Sequence, residues 1–185
     1  MDRRHFVGGV SLTSTLTPSY IFANTPLKDS GVLVEGAAFQ DLGGWKLDTQ
    51  DYQQMGGCHL LARGMGEPVA PAKTKASLPK AGAWHVWIRN RDWCPGTWQA
   101  PGRFKVHVSG VPLEPEFGAH KEAWHWQDGG SVQIDAAGEV EVSLEDLTGF
   151  DGRCDAIYFN QDASPELPTA DLVQLTVWKD ALAGH

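Results

Sequence analysis

The chain has 185 residues, 42% of them hydrophobic and 21% charged, with 21 Gly and 11 Pro spread between short apolar runs. That length accommodates one domain with a sizeable core and excludes two comfortable ones. A formal net charge of -8 excludes non-specific nucleic-acid binding, and three cysteines, Cys58, Cys94 and Cys154, none in a C-x-x-C pair, are too few for a disulfide scaffold.

Residues 1–23 read as an export signal: Arg3-Arg4-His5-Phe6-Val7, then an uncharged run interrupted by Ser and Thr, then Ala23. The twin arginines followed by x-Phe-Val resemble the bacterial twin-arginine signal, which implies a periplasmic or secreted protein. Removal of this segment, which carries two Arg and one Asp, makes the remainder slightly more acidic. No later uncharged run approaches the roughly 20 residues that span a bilayer, so no membrane association is expected once the signal is removed. In an exported protein two of the three cysteines are able to pair, and the sequence leaves open which.

The single domain is expected over residues 24–185. Residues 32–39 read as a first strand, ended by Asp41-Leu42-Gly43-Gly44 and a polar stretch over 46–54. Gly56-Gly57 marks a turn and 59–63 a short strand; Gly64, Gly66, Pro68 and Pro71 make a loop before a strand at 74–78. From Ala83, Trp84, Val86 and Ile88 point one way and His85, Trp87 and Arg89 the other, the period of a pleated strand. The alternation is expected to stop at Asn90, where Asp92, Pro95 and Gly96 bring in turn chemistry and carry Arg91, Asp92, Trp93 and Trp98 onto a loop.

Residues 103–109 alternate cleanly, with Phe104, Val106 and Val108 on one face. Three further runs, 123–127, 131–134 and 139–144, are divided by Asp128-Gly129-Gly130 and by a turn at 135–138. Residues 155–159 form the last expected strand. About eight or nine strands at this spacing predict an all-β fold, a two-sheet sandwich or jelly roll. After Pro165 and Pro168, Leu172, Leu175, Trp178 and Leu182 recur at helical spacing, which predicts a short helix at 170–182; a strand at 173–178 is the competing reading.

Sugar recognition needs flat apolar faces for the CH side of a pyranose and planar hydrogen-bonding groups for its hydroxyls. Trp93, Trp98, Trp124 and Trp126, with Arg91, Asp92, His125, Gln127 and Asp128, supply that mixture. The alternative is that Trp124 and Trp126, two apart, share one face of a strand and pack inside. Asp151 and Arg153 add charge beside the last strand, where Arg153 either clamps a ligand or partners a neighbouring Asp. Cys154 reads as a small buried hydrophobe.

Two stretches carry a resemblance: Val34-Glu35-Gly36-Ala37-Ala38-Phe39 with Gly43-Gly44-Trp45, and Asp151-Gly152-Arg153-Cys154-Asp155-Ala156-Ile157-Tyr158-Phe159. They are similar to the opening and closing strands of jelly-roll carbohydrate-binding modules. The resemblance implies a poly- or oligosaccharide ligand and a structural calcium held by the end strands, with Glu35 and Asp155 as ligands. Ala37 stands where the second Glu of the opening motif belongs, which removes one carboxylate.

A second resemblance runs through Arg89-Asn90-Arg91-Asp92-Trp93, Ala100-Pro101-Gly102-Arg103-Phe104 and Trp124-His125-Trp126-Gln127-Asp128-Gly129. These segments are similar to domains attached to bacterial flavin-dependent oxidoreductases and polysaccharide-degrading proteins. It implies a co-encoded oxidoreductase or glycan-degrading enzyme as partner. No G-x-G-x-x-G follows a strand and opens a helix, so the flavin itself is not expected on this chain.

Two other functions compete with a non-catalytic glycan-binding domain. A polysaccharide lyase would use His125 as base with Arg91, Arg153 and Asp151 around a uronate. A docking domain would present a flat apolar indole patch to a partner enzyme, without convergent Arg, Asp and Gln.

Overall fold

The computed structural model describes residues 31–93, 101–120, 123–162, 164–167, 175–176 and 178–180. Its strands are β1 (Val32–Glu35), β2 (Trp45–Asp48), β3 (His59–Ala62), β4 (Ala72–Leu78), β5 (Gly82–Arg91), β6 (Phe104–Val108), β7 (Val111–Pro112), β8 (His125–Ile134), β9 (Gly138–Asp146) and β10 (Gly152–Asn160). A short helix α1 (Tyr52–Met55) lies between β2 and β3. The first sheet runs β2-β3-β10-β5-β8 with β1 also on β10; the second runs β4-β9-β6-β7, and all pairings are antiparallel. The architecture is the expected β-sandwich.

Alternation builds the core. Trp84, Val86 and Ile88 of β5 are fully buried and meet Phe104, Val106, Val142, Leu144, Ile157 and Phe159 between the sheets. Trp45 and Phe104 pack edge to face at 5.6 Å, a geometry that the ring quadrupoles favour. On β4 the burial alternates strictly, leaving Lys73, Lys75 and Ser77 in water. On β9 Val140, Val142 and Leu144 are buried while Glu139 and Glu141 are exposed, as the sequence predicts.

Strand β10 organises the first sheet. Along one edge it pairs β3 through Gly152–Cys154 and then β1 through Ala156–Phe159, while β5 lies along the other edge. The chain leaves β1 through a 3-10 turn at Gly36–Ala38, where a Cβ on Gly36 would lie 3.2 Å from the backbone of Leu60, Cys154 and Asp155. Glycine permits that close approach of three strands.

Every residue of β10 is buried, because its outer face is covered too. Tyr158 packs with Leu175 and Trp178 of the C-terminal segment, joined by Leu33, Trp87, Trp126 and Leu167. The ring of Trp178 lies 4.7 Å from Tyr158 and 5.4 Å from Trp126. Residues 175–176 and 178–180 are helical, as the helix at 170–182 predicts; the rest of that span lies outside the described residues.

Three departures from the sequence reading have local causes. Residues 123–127 and 131–134 belong to one continuous strand, β8, because Asp128-Gly129-Gly130 passes opposite a register shift between His85 and Trp87 and makes an irregularity in the ladder, with no hairpin there. A hairpin at β6-β7 turns through Ser109 and Gly110, with φ values of 52° and 78°, the pair of positive angles that a tight two-residue turn demands. Strand β5 continues through Asn90 to Arg91, since both still pair with β8 or β10. Among the described residues no helix is long and apolar enough to cross a membrane, and Cys58 and Cys154 carry free thiols.

Candidate ligand-binding site

The outer face of the first sheet receives every second side chain of its strands: His85, Trp87, Arg89 and Arg91 from β5, and Arg153, Asp155 and Tyr158 from β10. A register shift between Cys154 and Ala156 keeps Asp155 and Tyr158 on that same face. Trp124, just before β8, and Trp126 within it complete the row. The C-terminal segment covers the end that holds Tyr158 and Trp126. The other end gathers arginine and indole.

There Trp93 is exposed at 36%. The Arg153 guanidinium lies 4.8 Å from the Trp93 ring centre, a cation–π contact. Its Nη1 donates to the backbone carbonyls of Trp93 and Asp151 at 3.1 and 2.9 Å, so Arg153 fixes the place where the chain leaves β5. Asp151 holds φ at 34°, in the left-handed region that few residues other than glycine adopt. Beside them Arg91 Nη1 donates to both carboxylate oxygens of Asp51 at 3.1 Å. The Trp124 ring lies 5.8 and 5.9 Å from the Arg89 and Arg91 guanidiniums and meets His59 edge to face at 5.0 Å.

Several buried polar atoms in this cluster have no hydrogen-bond partner among the described residues: Nε of Arg91, Nε of Arg153, the indole nitrogen of Trp124 and both ring nitrogens of His59. Buried polar groups without partners are rare in folded proteins; the indole N–H groups of Trp45, Trp87, Trp126 and Trp178 are in the same state elsewhere among the described residues. Burial lowers the Arg153 pKa, opposed mainly by the charge of Asp151; it lowers that of Arg89 likewise, opposed by Asp155. Burial also pushes the Cys154 thiol well above its usual range, consistent with an inert core residue.

His59 is fully buried, and desolvation holds its pKa below 6.5 although Asp51 and Asp48 pull it upward. The folded state therefore favours neutral imidazole. Its contribution to stability is fully present above the unfolded-state value of 6.5 and is lost as pH falls through the lower folded-state value. A His59→Leu protein is expected to show a shallower loss of stability between about pH 7 and 5 than the parent, measured by urea unfolding across that range.

The structure brings Trp93, Arg91, Trp124, Asp151 and Arg153 to this one end of the sheet. Asp92 directly follows β5 there, and Trp98 lies outside the described residues. Trp124 is 6% exposed and its indole nitrogen is buried, so it backs the cluster from inside. Trp126 is placed elsewhere, against Tyr158 and Trp178. His125 and Gln127 alternate to the opposite side of β8: Gln127 accepts from Asn90 Nδ2 at 3.2 Å and donates to the Glu116 carbonyl at 2.9 Å. Asp128 binds His85 at 2.6 Å and lines a separate groove of about 810 Å³ between β8 and the β6-β7 hairpin, with Val111, Glu114 and Ser131.

Glu35 and Asp155 share one partner. Both carboxylates are bound to Lys179 Nζ, at 3.0 and 3.1 Å. The sequence reading missed Arg89, Asp51, His59 and Lys179 as members of these clusters. Arg89 had a signal, lying two residues before Arg91 on the same strand face; the other three had none.

No protein-family model and no curated protein sequence matches the chain. Among solved structures, it is similar to the GH26-CBM35 β-(1,4)-mannanase of Podospora anserina, with a TM-score of 0.56 and 19% identity over 77% of this chain and 29% of that one. A family 35 carbohydrate-binding module from Clostridium thermocellum matches with a TM-score of 0.54 and 14% identity over 70% of this chain and 97% of the module. An exo-β-1,3-galactanase of Phanerochaete chrysosporium, in a complex with β-1,3-galactotriose, matches with a TM-score of 0.54 and 13% identity over 70% of this chain and 29% of the enzyme. The chain thus spans less than a third of the two enzymes and nearly all of the isolated module. These likenesses establish the fold: a jelly-roll β-sandwich of the kind found in carbohydrate-binding modules.

Proposed function

We propose that this chain is a non-catalytic glycan-binding domain of an exported bacterial protein. The observation that carries the reading is the exposed Trp93 indole backed by the Arg153 guanidinium, with Arg91, Asp51 and Trp124 beside it. The indole offers a flat face to a sugar ring, and the partly exposed Arg91 beside it supplies a planar donor for hydroxyls. The likeness of fold to a carbohydrate-binding module and to modules carried within glycan-degrading enzymes supports a polysaccharide as ligand. The partner in this reading is a co-encoded enzyme acting on the same glycan; modules carried within glycan-degrading enzymes support a glycan-degrading one, and an oxidoreductase partner rests on the sequence resemblance alone. The twin-arginine-like start supports a periplasmic or secreted location.

A lyase reading draws no support from the geometry. His125 lies on the opposite face of β8 from Trp124 and Trp126, whereas Arg91 and Arg153 share the Trp face, so the base and the two guanidiniums do not converge.

Titration of the protein with a panel of neutral and uronate-containing polysaccharides, followed by Trp fluorescence, tests the proposal. At least one is expected to quench, and Trp93→Ala is expected to weaken that binding about tenfold or more while leaving the unfolding midpoint nearly unchanged. Equal affinity of the parent and the variant would sink the site. Absence of binding across the panel, with a stable complex to a co-encoded enzyme, would replace the function with docking.

A further inference from the structure

The position between the first and last strands, where the resemblance implies calcium, is filled by the chain's own cations. Lys179 Nζ lies 3.0 Å from Glu35 Oε1, 3.1 Å from both Asp155 Oδ1 and Oδ2, and 3.4 Å from the Met55 carbonyl. Arg89 Nη1 donates to Asp155 Oδ2 at 3.1 Å and reaches Met55 Sδ at 3.0 Å. The Asp155 carboxylate is wholly buried, and Lys179 is 6% exposed. Both oxygens of Asp155 are therefore already engaged by ammonium or guanidinium.

Calcium takes six to eight oxygens at about 2.3–2.6 Å and depends on uncompensated carboxylate charge. Here the two negative charges of Glu35 and Asp155 are balanced by the two positive charges of Lys179 and Arg89. A divalent ion entering this cluster would meet two fixed cations within contact distance of its ligands and no net charge to hold it. No group of three His, Cys, Asp or Glu suited to a metal occurs among the described residues. The residues present do not fit calcium.

We infer that Lys179 takes the place of the metal. Its ammonium ties β1 through Glu35, β10 through Asp155 and α1 through Met55 to the C-terminal segment, so the two ends of the sandwich are locked by an internal cation delivered from far along the chain. The same device bears on the ligand-binding end of the sheet, because Arg89 links Asp155 to the Trp124 ring. The C-terminal segment is thus a structural part of the domain, and this junction of the first and last strands is held without a divalent ion.

Thermal unfolding of the full chain in millimolar calcium and in chelator, together with terbium luminescence sensitised by tryptophan, tests this. The parent is expected to unfold at one temperature in both solutions and to give no saturable terbium signal. Lys179→Met is expected to unfold roughly 10 °C lower, and Lys179→Arg to recover part of that loss. A parent melting temperature that rises with calcium and falls with chelator would overturn the inference, as would a Lys179→Met protein that melts with the parent. If Lys179→Met does not fold, the calcium and terbium measurements on the parent decide the matter alone.

Discussion

Asp155→Ala is expected to destabilise the protein by about 3–5 kcal/mol, read as a large drop in the urea midpoint at unchanged slope. Asp155 is fully buried and is the carboxylate that pairs with both Arg89 and Lys179, which are themselves 2% and 6% exposed. Removal of the anion leaves two buried cations, with only the partly exposed Glu35 still paired to Lys179. Breaking one side of a buried ion network is far more damaging than the net value of the network, because the desolvation of the remaining charges is no longer compensated. Asp155→Asn is expected to lose less, since its amide keeps the shape and one acceptor. Equal stability of Asp155→Ala and the parent would show that the cluster is solvated in solution.

Trp178→Ala is expected to cost about 3–5 kcal/mol, although Trp178 lies outside the core between the sheets. Its indole covers Tyr158 and Trp126 at 4.7 and 5.4 Å and is only 4% exposed. Without it the outer face of β10, which carries Tyr158 and is flanked by Trp87 and Trp126, opens to water. The large-to-small change thus combines lost transfer energy with a groove that the sheet cannot close. Denaturant unfolding of the variant measures the effect, and a loss below about 1 kcal/mol would mean that the C-terminal segment contributes little to the folded state.

Both expectations turn on an outer face that the local sequence described only in part. The alternation of Trp84, Val86 and Ile88 against His85, Trp87 and Arg89 was legible, because a pleated strand imposes a period of two on any residues that fill it. The same holds for β4, β6 and β9, whose second faces meet water. It fails for β10, where all of Gly152–Asn160 is buried and burial carries no period. A strand covered on both sides reads as a continuous run, and nothing in the run names what covers it.

The candidate site was legible to a similar extent. Turn chemistry points to Arg91 and Trp93, and charge beside the last strand to Asp151 and Arg153; the four lie together. Residue type points equally to Gln127 and His125, which lie on the other side of β8, because the strand continues through Asp128-Gly129-Gly130 and alternation assigns them there. His59 and Asp51 join the cluster through pairing of β3 with β10 and through the placement of α1, which are contacts between distant stretches of chain.

By itself, then, the sequence determined the all-β class, the core face of the solvated strands and the aromatic, arginine-rich chemistry at the end of β5, since period and composition are local properties. Tertiary structure alone decided that Arg153 lies under Trp93, that the C-terminal helical residues close the outer face of β10, and that Lys179 sits between Glu35 and Asp155. The physical reason is that a buried charge is tolerable only where its partner arrives, and here the partner comes from a segment whose docking depends on the whole sheet being assembled.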